Sequence, residues 1–182
     1  MEIRKVRIGD ISQIKTIADS LVVTPKDKNK ESGFYDYCLS SKQYRTRSRS
    51  DLFFVGCSDS ELGGFCMAYN SDFVRRLVEQ ELQLRDDAIF NYFILQQEAF
   101  VYLDQIAVRK PKTFLGGIYA YELFERLKEN SEGNQFIQGV IPHLPWKNET
   151  SIKFFTHQGG RLLKEITGKN QVVFGVYRLD LV

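Results

Sequence analysis

The residues at 101–108 read Val-Tyr-Leu-Asp-Gln-Ile-Ala-Val, an apolar run broken only by the acid Asp104 and the amide Gln105. The run enters a turn, Arg109-Lys110-Pro111-Lys112-Thr113-Phe114-Leu115-Gly116-Gly117, and then an amphipathic stretch. A helix starting there leaves several backbone N–H groups unpaired at its positive end. Such an end is an anion cradle suited to a pyrophosphate. Glycine is needed wherever a Cβ would hold a phosphate away from the backbone. Arg109, Lys110 and Lys112 flank the turn, either to meet phosphates or as a solvated basic turn.

Acid–base chemistry has few candidates. Asp104 sits inside an apolar strand, where burial would raise its pKa, and it shares a face with Tyr102 and Ile106. It reads as a general base or as a structural hydrogen-bond acceptor, with Glu98 the second choice. His143, between Pro142 and Pro145, follows a predicted strand and could line a cleft. His157 stands near the end of a short helix, as a proton carrier or a solvated surface histidine. Asn148, at the head of that helix, reads as an N-cap. The run of Lys42, Arg45, Arg47 and Arg49 would attract an acidic partner or lie in a solvated loop.

These residues need a scaffold, and the composition supplies one. The 182 residues fit one domain, and 43% hydrophobic with 26% charged content is that of a globular protein. With 14 Phe and 9 Tyr a sizeable core can form. A net charge of +2 argues against nucleic acid or an anionic membrane as the main partner. The three cysteines, at 38, 57 and 66, contain no Cys-x-x-Cys pair, so a reducing compartment is expected, without a disulfide framework or a metal site. The first residues turn charged at once and lack the apolar core of a signal peptide. No run approaches 18 apolar residues, so no transmembrane helix is expected.

Periodicity places the elements. A strand is predicted over 2–8, then a helix capped by Asp10 with Ile11, Ile14, Ile17, Ala18 and Leu21 on one face. A loop over 24–33 and a helical or irregular stretch over 34–44 follow. A hairpin joins 52–57 to 62–69, with a bulge at Gly63-Gly64. One or two helices fill 72–97. A central strand over 100–108 is covered on both faces, and a helix runs to about residue 129. A strand over 135–141, a helix over 148–157 stopped by Gly159-Gly160, and a strand pair over 161–166 and 171–181 close the chain.

Two segments resemble the GNAT superfamily of acyl-CoA N-acyltransferases. The strand–turn–helix of 101–120 is similar to its cofactor motif, Arg/Gln-x-x-Gly-x-Gly/Ala. With Gly117 as the first motif glycine, Phe114 takes the Arg/Gln position and Tyr119 the second glycine; with Gly116 there, Thr113 and Ile118 do. The segment Asn148-Glu-Thr-Ser151-Ile-Lys-Phe154-Phe155-Thr-His-Gln-Gly159-Gly160 is similar to the later motif Asn-x-x-Ser/Ala-x-x-Phe/Leu-Tyr/His/Phe-x-x-x-Gly-Phe, its final Phe replaced by Gly160. The resemblance implies one α/β (α+β) domain over 1–182: a mixed sheet of six or seven strands, splayed between its fourth and fifth, with helices on both faces and a helical elaboration at about 72–98.

It further implies N-acetyl transfer from acetyl-CoA, or another acyl-CoA, to a primary amine of a small molecule or protein, in the cytoplasm. Ile106, Ala107, Val108, Lys112, Leu115, Gly116, Gly117, Ile118 and Tyr119 would hold the cofactor with Asn148, Ser151, Phe154 and Phe155. Asn148 would bond the pantetheine amide if it is not only a cap, and the small Ser151 would let the pantetheine arm approach. Backbone amides of 101–109 would polarise the thioester, and Asp104 would be the base. The family's usual tyrosine acid falls on Phe155, which cannot donate a proton, leaving His157, Tyr119 or Tyr121 as substitutes. The alternative is a catalytically degenerate binding or regulatory protein of the same fold. An RNA-associated factor using Lys42–Arg49 and Tyr44 is a third reading. The final strands and the 72–98 helices offer a candidate homodimer face.

Overall fold

Alternation and helical spacing account for most of what forms. A computed structural model describes residues 1–24, 33–35, 39–59 and 61–181, the side chains of residues 35 and 170 excepted. Strand β1 (Glu2–Lys5) leads to helix α1 (Ile11–Ser20), the short strands β2 (Val22–Val23) and β3 (Phe34–Tyr35), and helix α2 (Ser41–Arg47). Strands β4 (Phe53–Ser58) and β5 (Glu61–Asn70) precede helices α3 (Ser71–Gln80) and α4 (Ala88–Ile94). Then come strand β6 (Phe100–Val108), helix α5 (Phe114–Glu129), strand β7 (Phe136–Leu144), helix α6 (Glu149–His157), and strands β8 (Arg161–Thr167) and β9 (Val173–Asp180). Seven strands form one sheet in the order β1-β4-β5-β6-β7-β9-β8. It is mixed, as expected: β6 and β7 run parallel, while β4–β5 and β7–β9 are antiparallel. No helix among the described residues is long and apolar enough to cross a membrane.

The chain forms two compact units, one of Met1–Thr24, Gly33–Ala68 and Gln105–Glu132, the other built on Tyr69–Asp104 and Gly133–Val182. Strand β6 passes from the second into the first between Asp104 and Gln105.

In the first unit, α1 buries Ile11, Ile14, Ile17 and Ala18, the face its periodicity marks. Each large apolar side chain so buried contributes about 1.5–3 kcal/mol. The first strand stops at Lys5, short of the expected residue 8, because Ile8–Asp10 winds into a 3-10 turn. Asp10 is no side-chain cap for α1. Its carboxylate accepts two bonds from the Arg4 guanidinium (2.7 and 2.9 Å) and one from the Arg7 N–H (2.7 Å). The β4–β5 pairing steps from Gly56↔Gly64 to Cys57↔Leu62, so Gly63 is the bulged residue of the predicted bulge. The basic run from Lys42 to Arg47 proves to lie in α2, started by a reciprocal Ser40–Gln43 cap, with Arg49 just past its end. Tyr44 and Arg47, one turn apart, are buried, while Lys42, Arg45 and Arg49 are exposed. Cys57 and Cys66 are free buried thiols, and Cys38 lies outside the described residues.

In the second unit, the stretch expected to hold one or two helices holds α3 and α4. Asn70 caps the first by accepting the Phe73 N–H, and Asp87 caps the second through the N–H groups of Ile89 and Phe90. Phe93 stacks on Tyr102 with ring centroids 4.2 Å apart, and Phe100 stacks on Phe136. Strand β7 pairs with β6 from Phe100↔Phe136 to Leu103↔Gly139. Helix α6 ends at Gly159, whose φ of +92° favours glycine.

Candidate functional site

The head of α5, in the first unit, is set by Thr113. Its Oγ1 accepts the Gly116 N–H (3.0 Å) and donates to the Lys110 carbonyl (2.8 Å). The Gly117 N–H closes onto the Thr113 carbonyl at 3.0 Å. Two of the four end amides of such a helix are therefore bonded within the turn. Among the described residues, the amides of Phe114 and Leu115 meet no acceptor.

The two glycines do different things. A Cβ on Gly116 would collide with the Lys110 carbonyl, so its absence shapes the turn. A Cβ on Gly117 would meet nothing within 4 Å, so the backbone there is open to a ligand. Leu115 is exposed, and Phe114, at 86% exposure, stands clear of the turn. Lys110 and Lys112 are exposed beside it.

Tyr119 is buried and lines one pocket with Lys110, Leu115 and Gly116 of the turn. Its ring is buried against Gly56 and Gly63, where any Cβ would overlap it. Burial, with the nearby Cys57, Asp59 and Glu61, raises its pKa, so the phenol stays protonated at neutral pH. A pocket of about 300 Å³ lies beside it, lined by Asp59, Glu61, Leu62, Arg109 and Leu115 among others. Arg109 is tied there by Glu61 (2.8 Å) and the Leu62 carbonyl (2.9 Å). Of the strand leading in, Ala107 and Val108 are buried and Ile106 is half-buried. Gln105 is also buried: its Oε1 accepts the Tyr44 hydroxyl (2.9 Å), and among the described residues its Nε2 has no acceptor.

The second unit holds the remaining candidates. Asp104 accepts the Tyr69 hydroxyl at 2.7 Å and the Tyr102 hydroxyl at 3.3 Å. Glu98 pairs with Arg178 at 3.4 Å. Asn148 caps α6 by accepting the Ser151 N–H (3.0 Å). Ser151 and Phe154 are half-buried. Phe155 is 2% exposed and packs over Gly139 and Gly160; a Cβ on Gly160 would overlap its ring. Gly160 thus leaves the space that the Phe155 ring occupies. His157 is exposed, and its Nδ1 lies 2.6 Å from the Lys153 carbonyl. Tyr121 is exposed on α5, in the first unit.

Sequence reasoning missed one constellation. His143 Nδ1 lies 2.6 Å from Glu165 Oε1, and His143 Nε2 lies 3.1 Å from the Tyr177 hydroxyl. Only His143 was singled out from the chain. Glu165 and Tyr177 are brought to it by strand register, which residue types do not encode. Sequence reasoning also passed over Tyr69, the closer phenol on Asp104.

No protein-family model matches the chain, and no curated protein matches it. Solved structures do. An Ard1 protein from Thermoplasma volcanium is 11% identical, with 100% of this chain and 97% of that one covered and a TM-score of 0.68. An N-acetyltransferase from Staphylococcus aureus is 18% identical, with 100% and 98% covered and a TM-score of 0.63. A chain of the NatC complex bound to Gag peptide and CoA is 15% identical, fully covered on both sides, also with a TM-score of 0.63. The fold expected from the sequence, that of the GNAT acetyltransferases, is the fold of this chain.

Proposed function

We propose that this chain, which has the GNAT fold, is an acyl-CoA-dependent N-acyltransferase that moves an acetyl group from acetyl-CoA to a primary amine. The observation that carries the reading is the head of α5. Among the described residues the amides of Phe114 and Leu115 have no acceptor there, Gly117 leaves the backbone open, and Lys110 and Lys112 stand beside them. Two bare amides at a positive helix end with two cations nearby suit a diphosphate. Bound there, acetyl-CoA would supply an activated acyl thioester. In the first unit, Ile106, Ala107, Val108, Leu115 and Ile118 are its proposed contacts.

This chain's own part is to position and to handle protons. Asp104 is the proposed base for the amine, its carboxylate set by the phenols of Tyr69 and Tyr102. A peptide or protein amine is the favoured acceptor, supported by the NatC neighbour's bound peptide. The free thiols of Cys57 and Cys66 support a reducing, cytoplasmic setting.

Calorimetry with acetyl-CoA tests the cradle, and CoA release with a panel of peptide and small amines tests the transfer. Binding together with amine-dependent release is expected. Binding without release across the panel would favour the second reading, a binding or regulatory protein. That reading has its own support in Phe155, which is buried and without a hydroxyl where the related enzymes place their acid.

A further inference from the structure

The hydroxyl that Phe155 lacks is close by, on a strand rather than on helix α6. Tyr177 of β9 sits edge-on to Phe155, with ring centroids 6.2 Å apart. Phe155 lies over Gly139, the cross-strand partner of Tyr177. Behind the Tyr177 hydroxyl stands the His143 ring, and behind the ring stands Glu165. Three features build this line.

The β7–β9 register steps from Pro142↔Phe174 to Leu144↔Val173, so His143 is a bulged residue. A bulge re-aims its side chain. Gly175 leaves the space the ring occupies, since a Cβ there would overlap it. A second bulge in β8, between Leu162↔Tyr177 and Lys164↔Val176, precedes Glu165. The His143 side chain is only 10% exposed, whereas that of Glu165 is 55% exposed and open to solvent. A surface histidine would need none of this.

Building on the acetyltransferase reading, we propose that Tyr177 is the general acid of the transfer and that His143 and Glu165 position and recharge it. As the amine nitrogen bonds to the acyl carbon and the carbon–sulfur bond breaks, the Tyr177 O–H gives its proton to the departing thiolate. The amine's surplus proton goes to Asp104. The Tyr177 phenolate regains a proton from the Nε2–H of protonated His143, whose Nδ1–H is held by the Glu165 carboxylate. His143 is reprotonated from solvent at the exposed Glu165 side, and Asp104 releases its proton to water. The products are amide and free thiol, with no redox partner required. Burial, with the charges of Glu149 and Glu165, raises the pKa of Tyr177, so the phenol is protonated at neutral pH. Those two carboxylates and His143 are the titratable groups facing it from α6, β8 and β7.

Three variants test this: Y177F, H143Q and E165Q, read by acetyl-CoA calorimetry, steady-state kinetics across pH and thermal melting. Y177F should bind acetyl-CoA as the wild type does and lose about 100-fold in kcat, the lower end of general-acid catalysis. H143Q should fold, keep its KM and lose one titration from the pH–rate profile. E165Q should fall between the wild type and H143Q. A Y177F enzyme with wild-type kcat overturns the relay alone, as does an H143Q profile that keeps every inflection. Absence of turnover by the wild type on any amine overturns the acetyltransferase reading and the relay with it.

Discussion

Asp10 is fixed by one guanidinium and one backbone amide at the start of the first unit. Burial pushes its pKa up, but the hydrogen bonds from Arg4 and the Arg7 N–H, with the charges of both arginines, outweigh it, so the pKa is lowered overall. A depressed carboxylate stabilises the fold above the ordinary carboxylate range, and that stability is lost as pH falls through the native pKa. Asp10→Asn should therefore cost about 1–3 kcal/mol at pH 7 and much less near pH 3. Urea unfolding of both proteins at the two pH values measures the difference. An equal cost at both would show that the charge contributes nothing. Gly63 raises a different question, one of space. The Tyr119 ring lies where its Cβ would be, so Gly63→Ala should destabilise by about 1–3 kcal/mol through forced displacement of that ring. A melting temperature equal to wild type would mean the ring moves freely. Gly63 could be read from the chain as a bulge; that a tyrosine from α5 covers it could not, because the two lie 56 positions apart in sequence.

The elements were legible wherever one face is buried: the α1 stripe, the alternating hairpin and the apolar β6 all follow from period alone. Register is not carried by period. Tyr177 faces His143 because β9 pairs with β7 as Gly139↔Tyr177, and a slip of one residue would turn that phenol to the other face. The acid beside Phe155 was hidden for that reason, although every residue in it was visible. Caps fall between these cases. Asn148 read as a cap and is one, whereas Asp10 read as a cap and serves Arg4. Thr113 was not singled out as one, yet it sets the head of α5 and withdraws the Gly116 amide from any ligand. Thr113→Ala should cost about 1 kcal/mol of stability while leaving one more amide bare. The two readouts are expected to part: a lower melting temperature with acetyl-CoA affinity kept or improved. Loss of both would mean that the turn collapses without its cap and that the cradle depends on it.

At the scale of the whole chain, a net charge of +2 gives no long-range pull on a polyanion, so nucleotide affinity must come from local geometry. That geometry is small: two unpaired amides, an open Gly117 and the exposed Lys110 and Lys112. A ligand that binds only the native state adds about 2.7 kcal/mol at 100 times its Kd. For a chain of this length that corresponds to a rise in Tm of about 5–10 °C. Exposed lysines are screened by salt within a Debye length of about 8–10 Å, whereas hydrogen bonds from backbone amides are much less so. Melting with acetyl-CoA at low and at about 0.5 M salt therefore separates the two contributions. The shift is expected to shrink but survive, and Lys110→Ala with Lys112→Ala should make the low-salt value resemble the high-salt one. A Tm that does not move with acetyl-CoA at either salt would leave the amides of Phe114 and Leu115 without a ligand, and the transfer chemistry would lose its donor.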